Sequence, residues 1–488
     1  MEKLRALTAY LIDRRMVLPE QLDSWAEQVT LPLYWKPTVK GLHMGDMRYH
    51  AIISLERLTD HPARLMWAYV LRLDLRELED RIKAREGVPG HPAISPRLLL
   101  ALWLYATSEG VVSARLLARL CQSDDAYRWL CGEVGVNHRT LGEFRVEHGE
   151  LLNRLLAEGV TALASEGLID LDTLAQDGVR VRASAGASSF RSGGRLEELV
   201  ADVKATLAEL AKEADSDPAA NEKRLRDRRE RRAAERLARL EKAAAKVAEM
   251  EAGTRKSKPD SKPPADATVT APPATDPPAP AAGAASDAEV SPSGKKPKSP
   301  RASTTDPEAR VVKMPDGGFR PAYNMQIASV AGGQVVVAVD VSTSSSDRGL
   351  ARPMLEKIEA TYGKLPKQHL VDGGFGKNDD IEWAHGAKVA IHCPPTTNKH
   401  NTDPFAPRED DGPGVKAWRQ RMQSEAGKAT YRKRSIHECI NARFRQWGLV
   451  QLTMRGRAKA AIVLTWHALA NNILQGARLR QAAAAAAT

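Results

Sequence analysis

Between residue 91 and about residue 168, apolar side chains recur at steps of three and four and are interrupted at Pro96, Gly110, Gly132 and Gly135. That period predicts several amphipathic helices. At residue 171 the period changes. In LDTLAQDGVRVRAS, Val179 and Val181 alternate with Arg180 and Arg182, as in a strand with one solvated face. Asp177 shares the parity of the valines, so a carboxylate stands on the apolar face. Leu196, Val200, Val203, Leu207 and Leu210, and later Leu237, Leu240, Ala244 and Val247, follow heptad-like steps and predict a helical hairpin or coiled-coil insertion. Residues 252–305 are rich in Pro, Ala and Ser with almost no large apolar side chains, which predicts a disordered linker.

Strands resume in RPAYNMQIASVAGGQVVVAVDVSTS, two apolar runs joined at Gly332 and Gly333. A helix over about 348–362, a strand in QHLVDGGFG reaching Asp372, a helix through Asp380 to His385 and a strand in AKVAIHC follow, then long helices over 415–447 and 456–481. With the insertion set aside, the order is three strands, helix, strand, helix, strand and two helices. This is an α/β core whose mixed sheet starts antiparallel and finishes parallel. The expected division is residues 1–80 unassigned, 81–168 helical, 169–194 the first part of the sheet core, 195–251 the insertion, 252–305 the linker and 306–482 the rest of the core. Residues 1–80 mix helical and loop signals around Trp25, Trp35 and Trp67 and carry no motif.

Charge narrows the partner. A chain of 488 residues with formal net charge +11 favours a polyanion, nucleic acid ahead of a membrane surface. The N-terminus has no apolar core or cleavage site and no later segment is a long uninterrupted apolar run, so neither export nor membrane insertion is expected and the cytoplasm is the expected compartment. Cys121, Cys131, Cys393 and Cys439 lack CxxC spacing and read as free thiols, with no zinc knuckle. In the helical region Arg115, Arg119, His138, Arg139 and Arg145 fall on surfaces between apolar faces; a helix-turn-helix contact to DNA and a plain solvated surface both fit. The heptad insertion reads as a packing or dimer element, and its arginines are assigned no contact.

The segment YRKRSIHECINARFRQW, residues 431–447, sets one acidic residue among basic ones. On a helical wheel of about 100° per residue, Tyr431, Arg434, Glu438 and Arg445 share an arc of about 60°, with Ile436, Ile440, Phe444 and Trp447 opposite. Arg434 and Glu438 are spaced for an ordinary i,i+4 ion pair worth about 0.3–0.5 kcal/mol. Asp177 before Gly178, and Asp372 before two glycines, are each compatible with simple turns. Asp170, Asp172, Asp340, Asp347, Asp379 and Asp380 are competing carboxylates, with Asp347 reading as a helix cap. His437 and Cys439 point to opposite sides of Glu438 and suit no shared zinc site. His467 reads as a packed core histidine, and Tyr323 and Asn324 as turn residues or DNA contacts. Taken together, three carboxylates from distant segments suit hard divalent ions beside a phosphodiester.

These residues carry a resemblance. The spacing Tyr431, Arg434, Glu438, Arg445, together with AQDGVRVRA, GGFRPAYNMQ, LVDGGFG and the MRGRAKA…WHALANNI tail, resembles insertion-sequence transposases of the DDE class with a ribonuclease-H-like core and a Y-R-E-K signature. Arg445 stands where that signature has lysine, keeping the charge and changing the contact geometry. The resemblance implies Asp177, Asp372 and Glu438 as catalytic residues and ligands of Mg²⁺ or Mn²⁺, two ions in all. It implies Tyr431, Arg434 and Arg445 as contacts to the transposon end. Double-stranded DNA (terminal repeats and target), a homodimer in a synaptic complex and association with a bacterial nucleoid are the implied partners and setting. A metal-dependent nuclease without strand transfer, and an idle DNA-binding descendant, are the alternatives.

Overall fold

The computed structural model describes residues 39–40, 61–82, 93–132, 134–213, 220–256, 299–396 and 403–487. Most of the unassigned N-terminal segment, and residues 257–298 of the expected linker, lie outside the described residues. The chain divides into two compact units, residues 1–184 with 309–488, and residues 185–308.

Among the described residues, the helices that precede the main sheet of the first unit include α1 (Pro62–Leu71), α2 (Pro96–Ser108), α3 (Ala114–Ser123), α4 (Asp125–Cys131), α5 (His138–Glu147) and α6 (Gly149–Ser165). Helix α2 is apolar on every side, PRLLLALWLYATS, and is accordingly buried on nearly every side. Starts are marked by side chains that accept backbone N–H groups: Ser113 caps α3, Asp124 caps α4 and Asn137 caps α5. Met66 and Val70 of α1 enter the same core as Trp103 and Leu141, so helical structure starts well before residue 81. That core continues without a break into Val179, Met325 and Ile327 of the sheet and Ile440, Phe444 and Leu464 of the C-terminal helices. The helical region is therefore not a separate domain. The indole N–H groups of Trp103 and Trp466 donate to Leu141 O (2.9 Å) and Arg145 O (3.0 Å), tying the layers together.

The sheet holds β1 (Thr173–Arg182) and, after the second unit, β4 (Arg310–Lys313), β5 (Phe319–Val330), β6 (Val336–Ser342), β7 (Gln368–Leu370) and β8 (Ala390–His392). The second unit contributes β2 (Phe190–Ser192), α7 (Gly193–Glu213), α8 (Ala220–Lys256) and β3 (Arg301–Ser303). In the main sheet the strand order is β8, β7, β1, β5, β4, with β6 also paired to β5. β1 runs antiparallel to β5, and β5 to β6 and β4; β7 is parallel to β1 and β8 to β7. The antiparallel start and parallel finish follow the sequence reading. Strand β4 escaped it, because two valines between charged residues carry too little period.

Helices α9 (Ala351–Tyr362), α10 (Asn378–Gly386), α11 (Pro413–Gln423), α12 (Glu425–Arg432), α13 (His437–Gln446) and α14 (Arg457–Ala487) complete the unit. The expected continuous helix over 415–447 is broken twice. Ser424 takes extended backbone (ψ 147°) and its hydroxyl accepts Gly427 N at 3.0 Å, starting a new helix. Lys433–Ile436 then tightens into a 3₁₀ turn. In the second unit β2 pairs antiparallel with β3, and α7 folds against α8 along Leu196, Val203, Leu240, Ala243 and Val247. Residues 301–303 thus form a strand inside the stretch expected to be linker.

Candidate active site

Strand register puts the two aspartates together. In the parallel β1/β7 pair Ala175 lies opposite Leu370, and Asp177 and Asp372 each follow two residues later, on the same face. Asp177 Oδ1 accepts its neighbour Gly178 N at 2.9 Å and lies 3.1 Å from Arg434 Nη2, while Asp177 Oδ2 accepts Asn441 Nδ2 at 2.8 Å. Asp372 caps the 3₁₀ turn Gly373–Phe375, accepting Gly374 N at 2.8 Å. Its other oxygen lies 4.0 Å from the same Arg434 nitrogen. A Cβ on Gly374 would stand 3.0 Å from Asp372 Oδ1, so the tight turn suits a residue without one. Burial pushes the Asp177 carboxyl above the usual aspartate range; Arg434 opposes that rise, and the nearby Asp372 and Asp347 carboxylates add to it.

The helical side of the site comes from α12, the 3₁₀ turn and α13. His437, Ile440 and Phe444 are buried, with His437 Nδ1 and the Ser329 hydroxyl sharing a hydrogen bond of 2.7 Å. Burial lowers His437 to about 3, which keeps it neutral, and Cys439 is exposed and free. Glu438 is exposed and makes no hydrogen bond or ion pair among the described residues. The i,i+4 pair with Arg434 is absent because the intervening 3₁₀ turn advances about 120° per residue and swings Arg434 onto the aspartates. Tyr431 is half-buried against the cluster containing Trp418 and Met422, and burial raises its phenol pKa. Arg445 is exposed on α13.

Asp177, Asp372 and Arg434 thus meet, Tyr431 flanks them, and Glu438 and Arg445 face outward. No three His, Cys, Asp or Glu side chains among the described residues form a group able to hold a metal ion. Asn441 was missed by the sequence reading. It lies three residues after Glu438, one turn along the same helix, but asparagine in so basic a segment gives no signal of its own.

Three expectations are corrected and one is met. Arg145 is buried, not on a surface: its guanidinium lies 4.5 Å over the Trp103 ring and donates to Val112 O at 2.5 Å, and burial lowers it to about 10. Tyr323 and Asn324 lie inside β5 and are buried, so neither forms a turn nor is open to DNA. Asp347 caps no helix; its Oδ1 accepts Asn324 Nδ2 (2.7 Å) and Gln326 Nε2 (2.8 Å) over the position where a Gly178 side chain would sit. His467 is a core histidine as expected, bonded to Val463 O and Trp447 O and lowered to about 4 by burial.

Comparison with known families gives two matches that bear on this arrangement. The transposase domain DUF772 covers residues 53–147, which agrees with helical structure beginning before residue 81. The transposase DDE domain covers residues 287–473 and so includes Asp372 and Glu438 but not Asp177. A DDE domain implies a ribonuclease-H-like core, a DNA substrate and divalent metal ions, and the mixed sheet is consistent with it. A third family, P2 phage tail completion protein R, matches residues 1–82 and overlaps the first match. No curated protein and no solved structure matches. No helix among the described residues is long and apolar enough to cross a membrane. A transposase domain followed in the same chain by a transposase DDE domain indicates an insertion-sequence transposase of the DDE class.

Proposed function

We propose that Asp177, Asp372 and Glu438 are the catalytic carboxylates of this transposase, and that one site both cuts the element's ends and joins them to target DNA. The observation that carries this reading is the convergence of Asp177 and Asp372 on one guanidinium, Arg434, from segments almost two hundred residues apart. The donor set fits Mg²⁺ or Mn²⁺: the groups are carboxylate oxygens, and the buried Asn441 Oδ1 beside Asp177 has no hydrogen-bond partner. Asp177, Asp372 and Glu438 would hold two such ions, which when bound stabilise charge on the phosphate oxygens in both phosphoryl transfers.

The chain's own residues have separate tasks. Strand β1 and the capped turn after β7 fix the two aspartates, Asn441 orients Asp177, and Glu438 remains free to turn inward. Arg434 holds the carboxylates together before DNA arrives and can then bind a phosphate. Tyr431 and Arg445 flank it as contacts to the element's end. Arg115, Arg119, His138 and Arg139, exposed on α3 and α5, are candidates for recognising terminal repeats, and cutting two ends in one event calls for a homodimer in a synaptic complex. The test is Mg²⁺-dependent cleavage and joining of labelled duplex carrying the element's ends, comparing native protein with Asp372→Asn and Glu438→Gln. Native protein should cut and join while both variants bind DNA and do neither. Equal binding without cutting in all three would leave a DNA-binding descendant.

A further inference from the structure

Helix α8 changes character along its length. Between residues 224 and 239 it carries Arg224, Arg226, Arg228, Arg229, Arg231, Arg232, Arg236 and Arg239 against only Asp227, Glu230 and Glu235. Beyond Leu240 the signs are mixed and the hairpin's charges are matched, as in Lys204 with Glu241 (3.1 Å) and the neighbours Lys246 and Glu249 (2.5 Å). Among the described residues, Arg228, Arg229, Arg232 and Arg236 have no carboxylate partner, and all four are exposed.

Helix stability does not call for this arrangement. Arg224 with Arg228, Arg228 with Arg232, and Arg232 with Arg236 are like-charged i,i+4 neighbours, which oppose helix formation. The apolar seam is also weaker here: Ala233 and Leu237 are half-buried and Leu225 is 54% exposed, whereas Leu240 and Ala243 are buried. Arg228, Arg232, Arg236 and Arg239 fall within an arc of about 80°, roughly 100° round from the seam, and span about 16 Å of helix. Such a ridge repels itself until a polyanion lies along it.

We propose that this ridge of α8 is a second DNA-binding surface, which takes the phosphate backbone of duplex DNA without reading its sequence. It rests on the chain acting on DNA and is separate from the site at Asp177. Guanidiniums spaced along one helix face can contact successive phosphates, whereas base recognition needs groups that reach into a groove.

The test is fluorescence-anisotropy titration of the full chain with end-bearing and scrambled duplexes across a salt series, comparing native protein, the triple variant R228Q/R232Q/R236Q and the triple variant R228K/R232K/R236K. Each lost phosphate contact lowers the slope of log affinity against log salt by about 0.9, so the glutamine variant should lose roughly two to three from the slope. The loss should be equal on both duplexes, and the lysine variant should keep most of the slope. Far-ultraviolet circular dichroism checks that the helix persists; a glutamine variant that loses helicity, which relief of repulsion makes unexpected, would overturn the ridge as a mere binding surface. An unchanged slope would make the ridge a solvated face and leave the transposase assignment standing. If native protein bound neither duplex, both this inference and the proposed function would fail.

Discussion

The strand side and the helix side of the site are built on different principles. On the strand side, Asp177 and Asp372 are placed by ladder register and by backbone N–H groups from Gly178 and Gly374. Neither can move far without breaking the sheet or a capped turn. On the helix side, Arg434 comes from a 3₁₀ turn, and Asn441 and Glu438 from the first two turns of α13, with only His437, Ile440 and Phe444 anchoring them in the core. The difference teaches a division of labour: strands set where charge is needed, and the helix carries the groups that can exchange partners. On the proposed assignment, Arg434 on the aspartates and Glu438 in solvent are one arrangement of the site, and a second would bring the glutamate in.

The comparison is broken most severely on the strand side. Asp177→Asn should reduce end cleavage by at least about 100-fold while leaving duplex binding intact, because on the proposed assignment it removes a carboxylate that would hold the divalent ion. Single-turnover cleavage with binding measured in parallel checks this. On the helix side, Arg434→Gln should destabilise the metal-free chain by about 2 kcal/mol, since Asp177 and Asp372 lose the cation between them. Urea unfolding with chelator present reads that loss, and added Mg²⁺ should recover part of it. Asn441→Ala should cost about 1 kcal/mol and, on the proposed assignment of Asp177 as a ligand, roughly 10-fold or more in cleavage, since it removes the residue that orients that carboxylate.

The smallest effect concerns pH. Because the folded state raises the Asp177 pKa, it favours the protonated carboxyl more than the unfolded chain does. The stability contributed by Asp177 is then fully present below the ordinary aspartate range and falls as pH rises through the elevated folded value. Over that window the urea midpoint of the native metal-free chain should fall relative to that of Asp177→Asn as pH increases. An opposite slope would mean that Arg434 outweighs burial.

Much of the strand side was legible in the sequence. Alternation around Asp177 gave its face, and the glycines after Asp372 marked a turn at a strand end. The helix side was less legible, because a wheel assumes one uninterrupted helix. Nothing local announces the break at Ser424, which depends on a hydroxyl cap, or the 3₁₀ turn, whose following residue His437 is drawn to Ser329 on a distant strand. Arg145 shows the same limit. A basic residue in a helical run reads as surface, and only the Trp103 ring and Val112 carbonyl, brought close by tertiary packing, make its burial tolerable. Asn324, Gln326 and Asp347 form a polar network that the sequence reading did not anticipate, because its members meet only when β5 and the segment after β6 come together.

The most direct measurement is the anomalous density of Mn²⁺ in crystals of the full chain bound to a duplex carrying the element's end. The expected result is manganese held by Asp177 and Asp372 with Glu438 turned in beside them and Arg434 moved onto phosphate. Manganese bound elsewhere, or Arg434 still seated between the aspartates with Glu438 in solvent, would contradict the exchange of partners and with it the assignment of the three carboxylates.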